Sequence, residues 1–355
     1  MLKAREAVRN LKEYHPPLGN RRGLRLDFNE NTLGCSPRVL EKLRSLTGDD
    51  VARYPEREPL EAVVAGHLQV EPGELLLTNG TDEAIHIVCE TYLEGRDEVL
   101  VTVPTFAMYE IYASATGAAV ISTPAEEDFR FPAAAVLERI NERTRMIAVA
   151  NPNNPTGALA AAEDLLRIAR AAPNAALLVD EAYFEFCGET LIPQWRQLPN
   201  LLVSRTFSKA YGLAGLRIGV LMGNLEQMRM LRRASSPYNL NSVALACLPE
   251  ALADREFVSR YAGEVRQGRA RLESELRERG IKHWPSHANF VLMHLGEANT
   301  PFIRAMRERG ILVRDRSRDP GCDRCVRITL GTTEQNECLM RVFGEVLEEI
   351  SVSSR

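Results

Sequence analysis

Between Glu74 and Gly223 short apolar runs alternate with amphipathic segments, and this alternation constrains the fold more than any other feature. The runs are Glu74–Thr78, Val99–Val103, Ala119–Ser122, Met146–Ala150, Ala176–Val179, Leu201–Val203 and Ile218–Met222. Between several of them lie segments with helical periodicity, such as Asp82–Leu93, Tyr109–Thr116 and Ala162–Ala171. Strand, helix, strand at this spacing predicts βαβ units and a mostly parallel sheet covered on both faces. Binding groups are then expected in the loops at the carboxyl ends of the strands.

The C-terminal part reads differently. Charged helices at about Asp254–Arg279, Pro301–Arg309 and Glu334–Ile350 surround short strands near Asn289–Met293, Ile311–Arg314 and Val326–Leu330. This pattern predicts a second, smaller α+β domain. The N-terminal segment, with a capped helix start at Ser36-Pro37, lacks a core of its own and is expected to pack on that domain. The expected division is a large domain over 50–245 and a small one from 1–49 and 246–355.

The 355 residues, 45% of them hydrophobic, are enough to bury a core of this size. A net charge of −4 with only short basic runs gives no electrostatic footprint for nucleic acid. No apolar run approaches the roughly 18–20 residues needed to span a bilayer. Residues 1–10 read as a charged amphipathic helix start without the apolar stretch of a secretory signal, so a cytoplasmic enzyme is expected. Among seven cysteines, Cys322 and Cys325 have CxxC spacing. No second pair or His pair completes a zinc site, so no metal is expected and these two read as structural thiols near solvent.

Five loops carry candidate chemistry. Gly80-Thr81-Asp82, after the run ending at Thr78, opens a helix whose free N–H groups suit a phosphate, or is a plain N-cap. Phe106 follows Val99–Val103 and could stack on a flat ring or fill the core. The turn Asn151–Gly157 holds Asn154, whose amide can face a ligand. Asp180 ends an all-apolar strand, where an acid is costly unless it meets a cation or a protonated nitrogen, or caps the next element. Tyr183 lies one turn on. Ser208-Lys209, with Arg217 beyond, places an amine for an aldehyde beside groups for its phosphate. An aldehyde, a phosphate, a ring nitrogen and a phenolic oxygen together describe pyridoxal 5'-phosphate (PLP).

In order and spacing these motifs resemble PLP-dependent aminotransferases, and the resemblance covers essentially the whole chain. It implies an α/β chain of PLP-dependent transferase fold type I. Within that group, Val8–Leu11 with Tyr14, Asp27–Asn31, Arg53–Glu56, Ser236–Asn241, Val313–Asp315 and Val326–Thr332 resemble histidinol-phosphate aminotransferases.

The resemblance implies roles. Lys209 would form the internal aldimine. Gly80, Thr81, Asp82, Ser208 and Arg217 would hold the cofactor phosphate, joined by Tyr54 of the partner subunit in a homodimer. Asp180 would pair with the pyridine nitrogen, Tyr183 and Asn154 with the phenolic oxygen, and Phe106 would stack, though the family often has tyrosine there. Arg314 and Arg327, with Tyr14, would bind the substrate anion. The implied reaction is a ping-pong transfer from histidinol phosphate to 2-oxoglutarate, giving imidazole acetol phosphate and glutamate. Aromatic-amino-acid aminotransferases and threonine-phosphate decarboxylases are the alternatives within the fold. A non-catalytic regulator is the alternative outside enzymes, and the intact Lys209 speaks against it.

Overall fold

The structure is a computed structural model that describes residues 2–15, 19 and 21–353. A two-residue strand, β1 (Leu24–Arg25), precedes the central sheet. That sheet is built from β2 (Leu75–Thr78), β3 (Glu98–Val103), β4 (Ala119–Pro124), β5 (Thr144–Ala150), β6 (Ala176–Asp180), β7 (Leu201–Thr206) and β8 (Gly219–Met222). Their order across the sheet is β2-β8-β7-β6-β5-β3-β4, and β8 runs antiparallel to both its neighbours while the other pairs are parallel.

Side chains alternate strictly between two cores. Leu76, Val99, Val101, Met146, Ala148, Leu178, Leu202 and Leu221 enter one, under the helices Gly80–Tyr92, Met108–Thr116 and Leu225–Ala234. Their chain neighbours Leu75, Leu77, Leu100, Ile147, Val149, Leu177, Val179, Leu201, Val203 and Val220 enter the other. Both faces are therefore covered, which is why these strands are continuous apolar runs.

β9 (Phe290–His294), β10 (Ile311–Leu312), β11 (Arg314–Asp315) and β12 (Cys325–Thr329) complete the strands among the described residues. β11-β12-β9 form a small antiparallel sheet, backed by the helices Arg255–Glu278, Asn299–Glu308 and Thr333–Ser353. The single strand expected at Ile311–Arg314 divides at Val313. Its first half pairs with β1 and its second with β12, because the chain passes from one ladder to another. The N-terminal segment also divides its contacts. Leu24–Arg25 joins β10, whereas the short helix Glu6–Arg9 lies against Met108–Thr116, with Arg5 Nη2 donating to Ala115 O at 2.9 Å. Among the described residues, no helix is long and apolar enough to cross a membrane.

Cys322 and Cys325 correct the expectation of thiols near solvent. Both are buried, packed with Phe129, Trp284 and Leu292. Neither is disulfide-bonded, and their mutual hydrogen bond, with burial, raises the Cys322 thiol far above its ordinary range. They act as small apolar side chains under the 315–325 loop.

Gly212 fixes where the lysine-bearing loop sits. Its φ is +71°, and a Cβ there would lie 2.0 Å from the carbonyl oxygen of Gly34. Gly212→Ala is expected to destabilise the protein by about 2 kcal/mol or more. A denaturant midpoint equal to that of the parent protein would show that the close approach is not needed.

Candidate functional site

The parallel strands deliver their loops to one edge of the sheet, and β8, running the other way, begins there. Residues 79–82, 104–106, 151–154, 180–183 and 206–209 therefore meet Arg217, which precedes β8. Thr81, Asp82, Phe106, Asn154, Asp180, Tyr183, Ser208, Lys209 and Arg217 line one partly open cavity.

At one end of the cavity a helix begins with its N–H groups uncapped. Asn79, its cap residue, makes no side-chain capping bond to the first turn. Gly80 has a φ of +74°, and a Cβ on it would stand 2.6 Å from Arg217 Nη2. Arg217 is itself left-handed, at φ +54°. Its guanidinium is tied to Asp82 Oδ2 at 2.9 Å. The buried Ser208 Oγ has no hydrogen-bond partner among the described residues. A helix N-terminus, a guanidinium and an unpaired hydroxyl fit a phosphate.

The floor is Asp180, at the carboxyl end of β6. Its oxygens accept from Tyr109 OH at 2.9 Å and Ser204 Oγ at 3.0 Å. Burial pushes the carboxyl up to about 6, against the pull of the two hydroxyls. The next acid, Glu181, points elsewhere and is fully matched. It takes Arg205 Nε and Nη2 at 3.0 and 2.9 Å, Thr190 Oγ1 at 2.8 Å and Leu191 N–H at 2.7 Å. Asp180 thus receives neutral donors where Glu181 receives an arginine, which fits a protonated ring nitrogen as the missing cation.

Phe106 stands edge-on to Tyr109, with centroids 5.9 Å apart. Tyr183 OH accepts from Asn29 Nδ2 at 2.9 Å. Lys209 Nζ donates to the Phe28 carbonyl at 3.3 Å. Burial, and then Arg327, push its amine down to about 8.

The two arginines expected to grip substrate are direct partners across β11 and β12. Arg327 donates through Nη1 to Asn154 Oδ1 at 2.5 Å and through Nη2 to Asp27 O at 2.8 Å. Burial, with Arg316 and Arg314 nearby, pushes it down to about 9. Arg314 lies over the Phe28 ring at 5.1 Å and leaves Nη1 buried without a partner among the described residues. Tyr14 is close enough to Arg314 to act on its charge. Tyr54 is not in this cavity. It is exposed, stacks on Tyr238 with centroids 4.2 Å apart, and lines a separate groove with Arg53, Pro59 and Leu245.

Several residues at the site were given no individual role from sequence, although Asp27–Asn31 was among the segments of the resemblance. Tyr109 and Ser204 hold Asp180, and Ser204 had a visible signal as a hydroxyl in an apolar run. Asp27, Phe28 and Asn29 form a strap that touches Arg327, Lys209 and Tyr183 in turn. Taken together, the donors fit PLP at every polar end. Among the described residues, no group of His, Cys, Asp and Glu is arranged to hold a metal ion.

The family model for aminotransferase class I and II matches residues 21–343. A histidinol-phosphate aminotransferase 2 of Methylococcus capsulatus is 36% identical, covering 96% of this chain and 97% of its own. A histidinol-phosphate aminotransferase of Caldanaerobacter subterraneus is also 36% identical, covering 91% and 93%. The crystal structure of histidinol-phosphate aminotransferase from Sinorhizobium meliloti in complex with pyridoxal-5'-phosphate shares the fold. Its TM-score is 0.87 at 24% identity, covering 99% of each chain.

Asp180 gives a test with the sign worked out. Its folded pKa lies above the ordinary 3.8, so the stability it contributes is present below that value and is lost as pH rises through about 6. In cofactor-free protein, Asp180→Asn should therefore stabilise the fold. The gain is on the order of 2–3 kcal/mol at pH 8 and about half that at pH 5. Thermal midpoints at the two pH values measure it, and a loss of stability at pH 8 would contradict the assignment.

Proposed function

We propose that this chain, which belongs to the aminotransferase class I and II family, moves the amino group of histidinol phosphate to 2-oxoglutarate, with PLP as cofactor. The products are imidazole acetol phosphate and glutamate. The observation that carries the substrate reading is the Arg314–Arg327 pair, two guanidiniums on one face of a small sheet. Paired forks suit a phosphate bidentately.

Thr81, Asp82, Ser208, Arg217 and the N–H groups from Gly80 hold the cofactor phosphate. Asp180 holds a proton on the ring nitrogen, Tyr183 and Asn154 take the phenolic oxygen, and Phe106 covers the ring. When bound, PLP supplies an aldehyde for the incoming amine and an electron sink for the pair left on the substrate carbon. Lys209 Nζ takes the proton from that carbon and returns it on the cofactor side. With its pKa near 8, about a quarter of this amine is neutral at pH 7.5, against about 0.1% for an ordinary lysine. Phe28 O, at 3.3 Å, accepts from Nζ at the edge of the cavity.

The exposure of Tyr54 supports a role in a second copy's site, and hence a homodimer. The cytoplasm is its proposed compartment. Pairing of Leu24–Arg25 with Ile311–Leu312 supports grouping 1–49 with 246–355 as the small domain, apart from 50–245.

Purified protein with PLP should absorb visible light and turn over histidinol phosphate with 2-oxoglutarate. Lys209→Ala should remove the absorbance and cut the rate by about 10³-fold or more. Turnover of phenylalanine with none of histidinol phosphate, or carbon dioxide release from threonine phosphate, would overturn the substrate reading.

A further inference from the structure

The segment after β11 carries two groups that the catalytic reading leaves unused. Arg314 and Arg316 are two residues apart, so their side chains leave the same face of the strand. Arg314 stands opposite Arg327, and Arg316 N–H extends the ladder by donating to Cys325 O at 2.9 Å. All three arginines therefore share one face of the small sheet.

The Arg316 side chain is only 13% exposed, and it is ion-paired to Asp319. Arg316 Nε, Arg314 Nη1 and Arg327 Nε are each buried with no hydrogen-bond partner among the described residues. Buried N–H groups are ordinarily satisfied, so three on converging guanidiniums point to an anion. Among the neighbouring charges that push Arg327 down, Arg316 outranks Arg314. Three guanidinium charges less one Asp319 carboxylate leave a net charge of two. That balances a phosphate dianion and exceeds a single carboxylate.

We propose that Arg316, with Asp319 as its resting counterion, is a third phosphate-binding cation and sets the preference for a dianionic substrate. This rests on the substrate reading above. The phosphate draws Arg316 from Asp319, so the carboxylate competes for the arginine and does not build the site.

Steady-state kinetics and thermal midpoints of R316Q, R316K and D319N test this in the PLP-loaded enzyme. In R316Q the KM for histidinol phosphate should rise about tenfold or more, with a smaller fall in kcat. R316K should recover part of that loss, and D319N should bind at least as tightly as the parent. A simple loop staple predicts that breaking the pair from either end raises KM alike and lowers the midpoint alike. That result, or a KM in R316Q within about twofold of the parent, overturns the proposal. If the parent enzyme does not turn over histidinol phosphate, the substrate reading fails instead, and inorganic phosphate becomes the probe. Inhibition by phosphate that weakens about tenfold in R316Q but not in D319N sustains the anion site. Equal inhibition of R316Q and the parent removes it.

Discussion

Both faces of the seven-stranded sheet are buried, and the rest of the molecule follows from that constraint. A strand covered on both sides has nowhere to place a polar side chain except at its ends. Hence Asp180, Asn154, Ser208 and Lys209 all lie just at or beyond the last apolar residue of their strands. β8 extends the rule. Because it runs antiparallel, its entry lies at the active edge, and Arg217 stands before the strand instead of after it.

Three buried charges at the site are shifted from their ordinary values. Asp180 is pushed up, and Lys209 and Arg327 are pushed down, each chiefly by loss of water. In the proposed roles, a protonated ring nitrogen, an aldehyde and a substrate anion would relieve these three strains respectively. Glu181, one residue along the same strand end, shows the contrast. It is matched internally by Arg205, and it plays no part in the cavity.

The elements of the large sheet were legible because each leaves a local trace: a short apolar run, a turn, a helix start. The residues that line the cavity stood out for the same reason, since Lys209, Asp180 and Arg217 are anomalous where they stand. What stayed hidden depends on partners far apart in the chain. Tyr109 reads as a core aromatic until Asp180 is placed beneath it, and Asn29 has no evident role until Tyr183 comes within reach. The division of Ile311–Arg314 at Val313 leaves no mark in hydropathy, because both halves are strands. The burial of Cys322 and Cys325 was hidden by their charged neighbours Asp323 and Arg324, which lie outside while the thiols turn in.

The strap Asp27-Phe28-Asn29 gives three successive residues to three separate elements: Arg327 on β12, Lys209 beyond β7 and Tyr183 beyond β6. Asn29 adopts φ +56° to do so, and its N–H is pinned to Thr329 Oγ1 at 3.1 Å. Spacing along one backbone thereby becomes a ruler between the amine proposed to move the proton and the arginine proposed to grip the anion. Surface loops absorb added or deleted residues with little consequence. Here a change of one residue would move both marks on the ruler, so this stretch tolerates exchange of side chains far better than any change of length.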